Sequence, residues 1–245
     1  LKHLADGQDL ALVADASHAL GSAYKSRPVG TLADLSTFSF HPVKHITTGE
    51  GGIITTDRAE YARRMEHFRN HGITTDHRQR EQRGSWFYEM DALGYNYRLT
   101  DIQCALGISQ LKKLPSWIER RRKIADRYNE AFTEIDAISP LKLTPEARHA
   151  YHLYVIQIDT DALSTDRAQV FKDLRSQGIG VNIHYIPVHL HPFYRRHFGT
   201  APGLCPVAER AYERILSLPV HASMTDDDVE TVIECLTGVL RKYFS

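Results

Sequence analysis

The stretch "STFSFHPVKHITTGEGG", Ser36 to Gly52, decides how the chain is read. Its first half alternates: Phe38 and Phe40 fall on one face, and Thr37, Ser39 and His41 on the other, the period of a half-buried strand. Its end, Gly-Glu-Gly-Gly, is turn-forming. Between them stands one lysine, Lys44. A lone lysine is ordinarily a solvated surface residue; this one sits where the backbone is tightly specified. Upstream, Leu10–Asp15 reads as a buried strand, a short apolar run ending in a carboxylate, and three residues later comes His18. In open α/β sheets ligands gather beyond the carboxyl ends of the strands. Taken alone, Asp15 is as readily an N-cap or an Asx turn, His18 a partly buried histidine, Ser39 a tolerated small residue, and Gly49–Gly52 a plain turn. Taken together they make one donor set. Pyridoxal phosphate requires an amine for covalent attachment, an acid beside its ring nitrogen, and donors for its phosphate and phenolic oxygen. Lys44, Asp15, Ser39 and His18 supply these in turn.

The remaining sequence sets the frame. The chain has 245 residues, 42% of them hydrophobic, with 30 basic residues balancing 30 acidic ones. That suffices for one large or two ordinary domains and gives no global pull towards nucleic acid or anionic membrane. No apolar run is long enough to span a bilayer. Three scattered cysteines, Cys104, Cys205 and Cys235, form no disulfide framework or zinc pattern, and a reducing cytoplasm is expected. Gly52–Thr56 reads as a third strand, followed by a helix capped by Asp57 and running to about Asn70. Residues 72–95 read as a long functional loop. A helix from Leu99 is expected to carry Ile102, Leu106 and Leu111 inward, with Pro115 opening a second helix that buries Ile118, Ala125, Tyr128 and Phe132. Beyond about residue 135 the pattern becomes α+β: a strand in "YHLYVIQID", a helix over 165–177, a strand in "IGVNIHYIP", and helices near 206–215 and 225–243. The expected division is 1–134 and 135–245.

Four quoted motifs carry a family resemblance. "VADASHALGS", "DLSTFSFHPVKHITTGEGG", "EMDALGYNYRLTDIQCALGISQLKKL" and "VNIHYIPVHLHPFYRRHFG" together resemble the sugar-nucleotide aminotransferases of the DegT/DnrJ/EryC1/StrS family, most closely its UDP-4-amino-4,6-dideoxy-N-acetyl-β-L-altrosamine transaminases. The resemblance implies an α/β fold: the aspartate-aminotransferase-like fold type I, here the latter part of the cofactor-binding large domain plus the small domain. It implies pyridoxal 5'-phosphate (PLP) as cofactor, with Lys44 as the attachment lysine and proton shuttle. Asp15 would face the ring nitrogen, His18 the phenolic oxygen and Ser39 the phosphate, while Asn96 would reach the phosphate of a neighbouring subunit. Asn182, His184 and Tyr185 would lie on the substrate side. It further implies transfer from L-glutamate to C4 of a UDP-linked 4-keto-6-deoxy sugar by a homodimer with shared sites. Departures are Ala14 where many relatives have Glu, Cys104 for a common Ala, and His18 where Gln is frequent. Relatives also begin with a further segment that supplies a phosphate loop and an aromatic stacked on the ring. Residues 1–245 alone are therefore expected to bind PLP poorly and not to transaminate.

Three other readings compete: a family dehydratase, a non-catalytic fragment, and a metal-binding or structural module built on His184, His189, His191 and His197. Lysine at position 44 favours transamination over the dehydratases that carry histidine there, although other dehydratases keep lysine. The histidine spacing matches no strong ligand pattern.

Overall fold

The computed structural model describes residues 1–244. In chain order the elements are α1 (Lys2–Asp6), β1 (Val13–Asp15), β2 (Ala23–Tyr24), β3 (Arg27–Pro28), β4 (Leu35–Ser39), β5 (Gly52–Thr55), α2 (Ala59–Arg69), α3 (His77–Gln82) and α4 (Asp101–Phe132). Then come β6 (Ile138–Pro140), β7 (Ala147–Arg148), β8 (Tyr154–Ile158), α5 (Arg167–Ser176), α6 (Pro192–Phe198), α7 (Pro206–Arg214), β9 (Ile215–Leu218) and α8 (Asp226–Arg241). Two compact units divide the chain: Leu1–Pro115 with Glu146–Arg148, and Ser116–Pro145 with His149–Ser245.

In the first unit β4 lies between β1, which it pairs in parallel, and β5, which it pairs antiparallel. The register sets Asp15 opposite Thr37, so both strands run out in the same direction just before Ser39. Val13, in β1, and Leu10, ahead of it, are exposed, against the expectation of a buried strand. A small ribbon, β3-β2-β7, is antiparallel throughout. The buried carboxylate of Asp34 ties β1 to the start of α2: it accepts from Leu12 N–H at 2.9 Å and pairs with Arg58 at 2.9 Å. That pairing explains why α2 starts one residue later than expected. Thr56 donates to Asp34 O at 2.6 Å and accepts from Arg58 N–H at 3.1 Å, so Arg58 occupies the cap position in place of Asp57. Within the expected 72–95 loop, Asp76 and Gln79 form a reciprocal capping box that starts α3.

The chain forms one long helix where two were expected. Thr100 and Gln103 cap its start, with Gln103 Oε1 accepting from Thr100 N–H at 2.9 Å. The stripe turned from solvent is Gln103, Gly107, Gln110, Leu114, Ile118, Arg121, Ala125, Tyr128 and Phe132, at spacings of three and four. It passes Pro115 in register. Pro115 lies off that stripe and is exposed, so its missing N–H costs one helical bond without moving the buried face. Ile102, Leu106 and Leu111 lie on other faces and are 83%, 40% and 52% exposed, contrary to the inward placement expected of them.

The second unit is a two-layer α+β fold. β8 lies between β6 and β9 in an antiparallel sheet; α5 packs on α8 and β9, and α7 on β8. Its core gathers Ile156, Ile158, Leu216, Val170, Leu174, Leu236 and Leu240 around Tyr128 and Phe132. Thr225 and Asp228 form the capping box of α8, whose first turn carries three aspartates, as the helix dipole favours. The helix expected near 206–215 is α7, and it is followed at once by the strand "ILSL", which the sequence reading did not place. Residues 179–187 are not a strand: only Asn182 pairs, with Ser217. Asn182 Oδ1 takes the next N–H, that of Ile183, at 2.8 Å and stops the ladder there.

Loops in this unit are held by donors from α4. Arg121, 7% exposed, donates from Nη1 to Tyr151 O at 2.9 Å and Val220 O at 2.7 Å; Tyr128 Oη donates to Pro219 O at 2.9 Å. Burial pushes the Arg121 pKa down, and the carbonyl dipoles of Tyr151, His152 and Val220 hold the guanidinium. Arg121→Met keeps the aliphatic stem but strands those carbonyls. It should lower unfolding free energy by about 2–4 kcal/mol in urea titrations. A loss below about 0.5 kcal/mol would show that the carbonyls are satisfied without it.

Candidate functional site

The turn after β4 answers why a lysine stands there. Phe40 O accepts from Thr48 N–H at 3.1 Å and from the Thr47 hydroxyl at 2.8 Å, closing the segment on itself. Gln110 on α4 accepts from Thr47 N–H at 2.8 Å, and Gln103 donates to Glu50 O at 3.0 Å. Gly107 lies between these glutamines, and a Cβ there would come within 3.0 Å of Thr48 Cγ2, so α4 approaches closely. At Gly51, φ is +154°, and a Cβ would collide with Thr48 Oγ1 and lie 2.9 Å from Leu99 Cδ2. His45, Ile46 and Thr48 are buried. Lys44 therefore rides on an anchored loop, with its N–H donated to His41 O at 2.9 Å.

Lys44 itself is half-buried. Desolvation pushes its pKa below the usual lysine range, and the charge of Asp15 pulls it partly back. Asp15, at the end of β1, lies below the usual carboxylate range: hydrogen bonds from the Ser17 hydroxyl and backbone hold it there, and His18 and Lys44 add their fields. Ser17 N–H reaches Asp15 Oδ1 at 3.0 Å. The structure thus brings Asp15, His18 and Lys44 into one electrostatic group. Ser39 ends the neighbouring strand; its Oγ accepts from His41 N–H at 3.3 Å and keeps its own O–H to donate. This set fits PLP: an ionised carboxylate, a partly desolvated amine and a hydroxyl donor gather at the carboxyl ends of two parallel strands.

Asn96 is placed differently. The flanking residues are sewn to the end of α2, Tyr95 N–H to Phe68 O at 2.8 Å and Tyr97 N–H to Arg69 O at 3.0 Å, which leaves the Asn96 side chain exposed. Among the described residues no hydrogen bond joins it to Lys44, Asp15 or Ser39. In the second unit Asn182, His184 and Tyr185 occupy one short segment, with the rings of His184 and Tyr185 edge-on at 4.6 Å. Of the four histidines considered as ligands, His189 pairs with Glu209, Nε2 to Oε1 at 2.8 Å, a carboxylate that also accepts from Gly203 N–H and Cys205 N–H. Glu209 thereby braces the 199–205 loop.

The sequence reading missed Ser17, Thr47 and Gln110. Asp-x-Ser is an Asx-turn pattern and could have pointed to Ser17. Gln110 gives no local signal, since its partner is 63 residues away.

Comparison with known proteins places the chain. The model of the DegT/DnrJ/EryC1/StrS aminotransferase family matches residues 1–237, and the chain belongs to that family. It is 38% identical over 242 residues to the UDP-4-amino-4,6-dideoxy-N-acetyl-β-L-altrosamine transaminase of Campylobacter jejuni, covering 99% of this chain and 62% of that protein. Helicobacter pylori PseC, an aminotransferase of pseudaminic acid biosynthesis, superposes with a TM-score of 0.88 at 33% identity, over 98% of this chain and 62% of that one. The PLP form of the Streptococcus pneumoniae sugar aminotransferase Spr1654 does so with a TM-score of 0.85 at 33% identity, over 95% and 58%. The chain thus has the aminotransferase fold the motifs implied and spans about three-fifths of the length of these relatives.

The coupling between Asp15 and Lys44 is testable on the chain itself. The carboxylate favours the ammonium form, so removing its charge lowers the Lys44 pKa. At a fixed pH near 8, Asp15→Asn should expose more free amine and speed acylation of Lys44 by acetic anhydride, read by peptide mass spectrometry, about two- to fivefold. An unchanged or slower rate would separate the two groups.

Proposed function

We propose that Lys44 attaches PLP and that the protein transfers the amino group of L-glutamate to C4 of a UDP-linked 4-keto-6-deoxy amino sugar. One observation carries the reading: a partly desolvated lysine on a braced turn, facing a low-pKa aspartate at the end of the adjacent parallel strand. When bound, PLP supplies a conjugated ring that disperses negative charge developing at the substrate carbon. Asp15 places a fixed negative charge where a ring N–H would need one, and Ser17 keeps it ionised and aimed. His18 serves the phenolic oxygen and Ser39 donates to the phosphate. Lys44 Nζ, freed from the cofactor once the amine of L-glutamate has displaced it, would take the proton from Cα of L-glutamate, and its lowered pKa would leave more of it unprotonated to do so.

Asn182, His184 and Tyr185 contact substrate in this reading. Asn96, exposed on its pinned segment, serves the phosphate of a neighbouring subunit, which makes the working unit a two-fold homodimer. The domain boundary near residue 134 and the cytoplasmic setting belong to the same proposal, the latter supported by three unpaired cysteines. A PLP-dependent sugar dehydratase is the second reading, and Lys44 weighs against its histidine-bearing type.

Two experiments on the full-length, PLP-loaded protein test this. Lys44→Ala should abolish transamination, and Asp15→Asn should lower kcat by roughly 100-fold, about 2.7 kcal/mol of barrier, while leaving the fold intact. Near-normal turnover in either variant would exclude the assigned role. For the dimer, mixing Asn96→Ala and Lys44→Ala subunits should restore up to about a quarter of the sites under random pairing. Proven heterodimers without activity would rule out a shared site.

A further inference from the structure

Ser217 lies in β9 and is 4% exposed. Its strand neighbours Leu216 and Leu218 point the other way, into the core. The backbone of Ser217 exchanges both bonds with Asn182: Asn182 N–H to Ser217 O at 3.1 Å, and Ser217 N–H to Asn182 O at 2.8 Å. Its hydroxyl makes a separate contact, Oγ to His184 Nδ1 at 2.8 Å. One residue therefore anchors the segment through its main chain and holds an imidazole through its side chain.

The direction of that last bond follows from what each partner can do. A hydroxyl has one proton and two lone pairs; a neutral imidazole has one N–H and one bare nitrogen. If Nδ1 carried the proton, the Ser217 oxygen would accept and its own O–H would be left buried with no acceptor among the described residues. If Ser217 donates, its hydroxyl proton and Nδ1 are both satisfied. Nδ1 is then bare and the proton sits on Nε2, which the ring geometry turns away from Ser217.

We propose that Ser217 is a positioning residue: it donates its hydroxyl proton to His184 Nδ1, fixes the neutral ring as the Nε2–H tautomer, and so makes His184 a hydrogen-bond donor to an acceptor oxygen of a bound substrate. The proposal rests on the reading of His184 as a substrate-side residue. It adds a donor polarity to that residue and a second residue that sets it. β9 is a rigid mount for the purpose, paired along its length with β8, with the fully buried Ile156 and Leu216 opposite each other. The acceptor oxygen can belong to the sugar nucleotide or to the carboxylate of L-glutamate, and the two Michaelis constants distinguish them.

The structural half is read by nitrogen-15 NMR of histidine-labelled protein, with His184→Gln to assign the ring. Neutral His184 should show a protonated Nε2 and a bare Nδ1 displaced from the position of a free ring nitrogen. Ser217→Ala should move Nδ1 to the free position, and Ser217→Thr should restore it. Amide-exchange protection of Asn182 and residue 217 should persist in Ser217→Ala, because the backbone pairing needs no hydroxyl. If Ser217→Ala does not fold, Ser217→Cys is read by the same criterion, its weaker donor giving an intermediate shift. In the PLP-loaded protein, Ser217→Ala should raise one of the two KM values about tenfold, about 1.4 kcal/mol, with kcat within about twofold. A protonated Nδ1 in the parent protein, an Nδ1 signal indifferent to Ser217→Ala, or two unchanged KM values would each overturn the proposal. Absence of transamination in the full-length, PLP-loaded parent protein would overturn the proposed function, while the ring nitrogens would still judge the tautomer.

Discussion

The site depends on the closure of one turn on one carbonyl. Phe40 O receives both the Thr48 amide and the Thr47 hydroxyl, and this double bond pair converts residues 41–48 from a connection into a mount. A lysine side chain is long and rotamer-rich, so placing its amine is entropically costly. Fixing its backbone on both sides and half-burying its stem removes much of that freedom before any ligand arrives. The same partial burial lowers the amine's pKa, so positioning and activation have a single physical origin. The turn in turn needs α4 close by, because Gln110 and Gln103 satisfy backbone groups at Thr47 and Glu50 that Gly107 allows the helix to approach.

The second unit uses the same device on a different scale. Its hydrophobic core is ordinary: a three-stranded sheet with helices packed on it. What holds its loops is a row of polar side chains from α4. Arg120 bonds Met224 O, Arg121 bonds Tyr151 O and Val220 O, and Tyr128 bonds Pro219 O. Arg127 adds a forked pair with Glu230 at 2.6 and 2.8 Å. Loop carbonyls that a helix or strand would satisfy internally are satisfied here by donors reaching in from a rigid element. Order at His184 follows from the same logic, with Ser217 as the donor.

How much of this the sequence disclosed depends on the distance over which each feature is determined. The positions of Asp15 and Ser39 at strand ends and of Lys44 on a turn were legible because a strand's end and a turn's glycines are written within a few residues of them. The cap of α2 was misplaced by one residue because Arg58 answers to Asp34, a buried carboxylate 24 residues earlier. Along α4 the apolar positions Ile102, Leu106 and Leu111 pointed to the wrong face. The stripe that is covered there begins Gln103, Gly107, Gln110, chosen by hydrogen bonds and close approach, neither of which hydrophobic periodicity records. Pro115 suggested a break that the in-register stripe overrides. The alternation in "IGVNIHYIP" promised a strand, and a single side-chain bond, Ile183 N–H to Asn182 Oδ1, ended it. Asn182, His184 and Tyr185 could be nominated only through family resemblance, and nothing in the local pattern singled out Ser217.

The account stands on Lys44 as the attachment point, and borohydride reduction tests that most directly. Reducing the PLP-loaded protein with sodium borohydride, digesting it and locating the pyridoxyl group by mass spectrometry should place the label on Lys44 alone. The label should disappear from that peptide in the Lys44→Arg variant without moving elsewhere. A pyridoxyl group on any other lysine of the parent protein, with Lys44 unmodified, would contradict the assignment and the reading of the braced turn built on it.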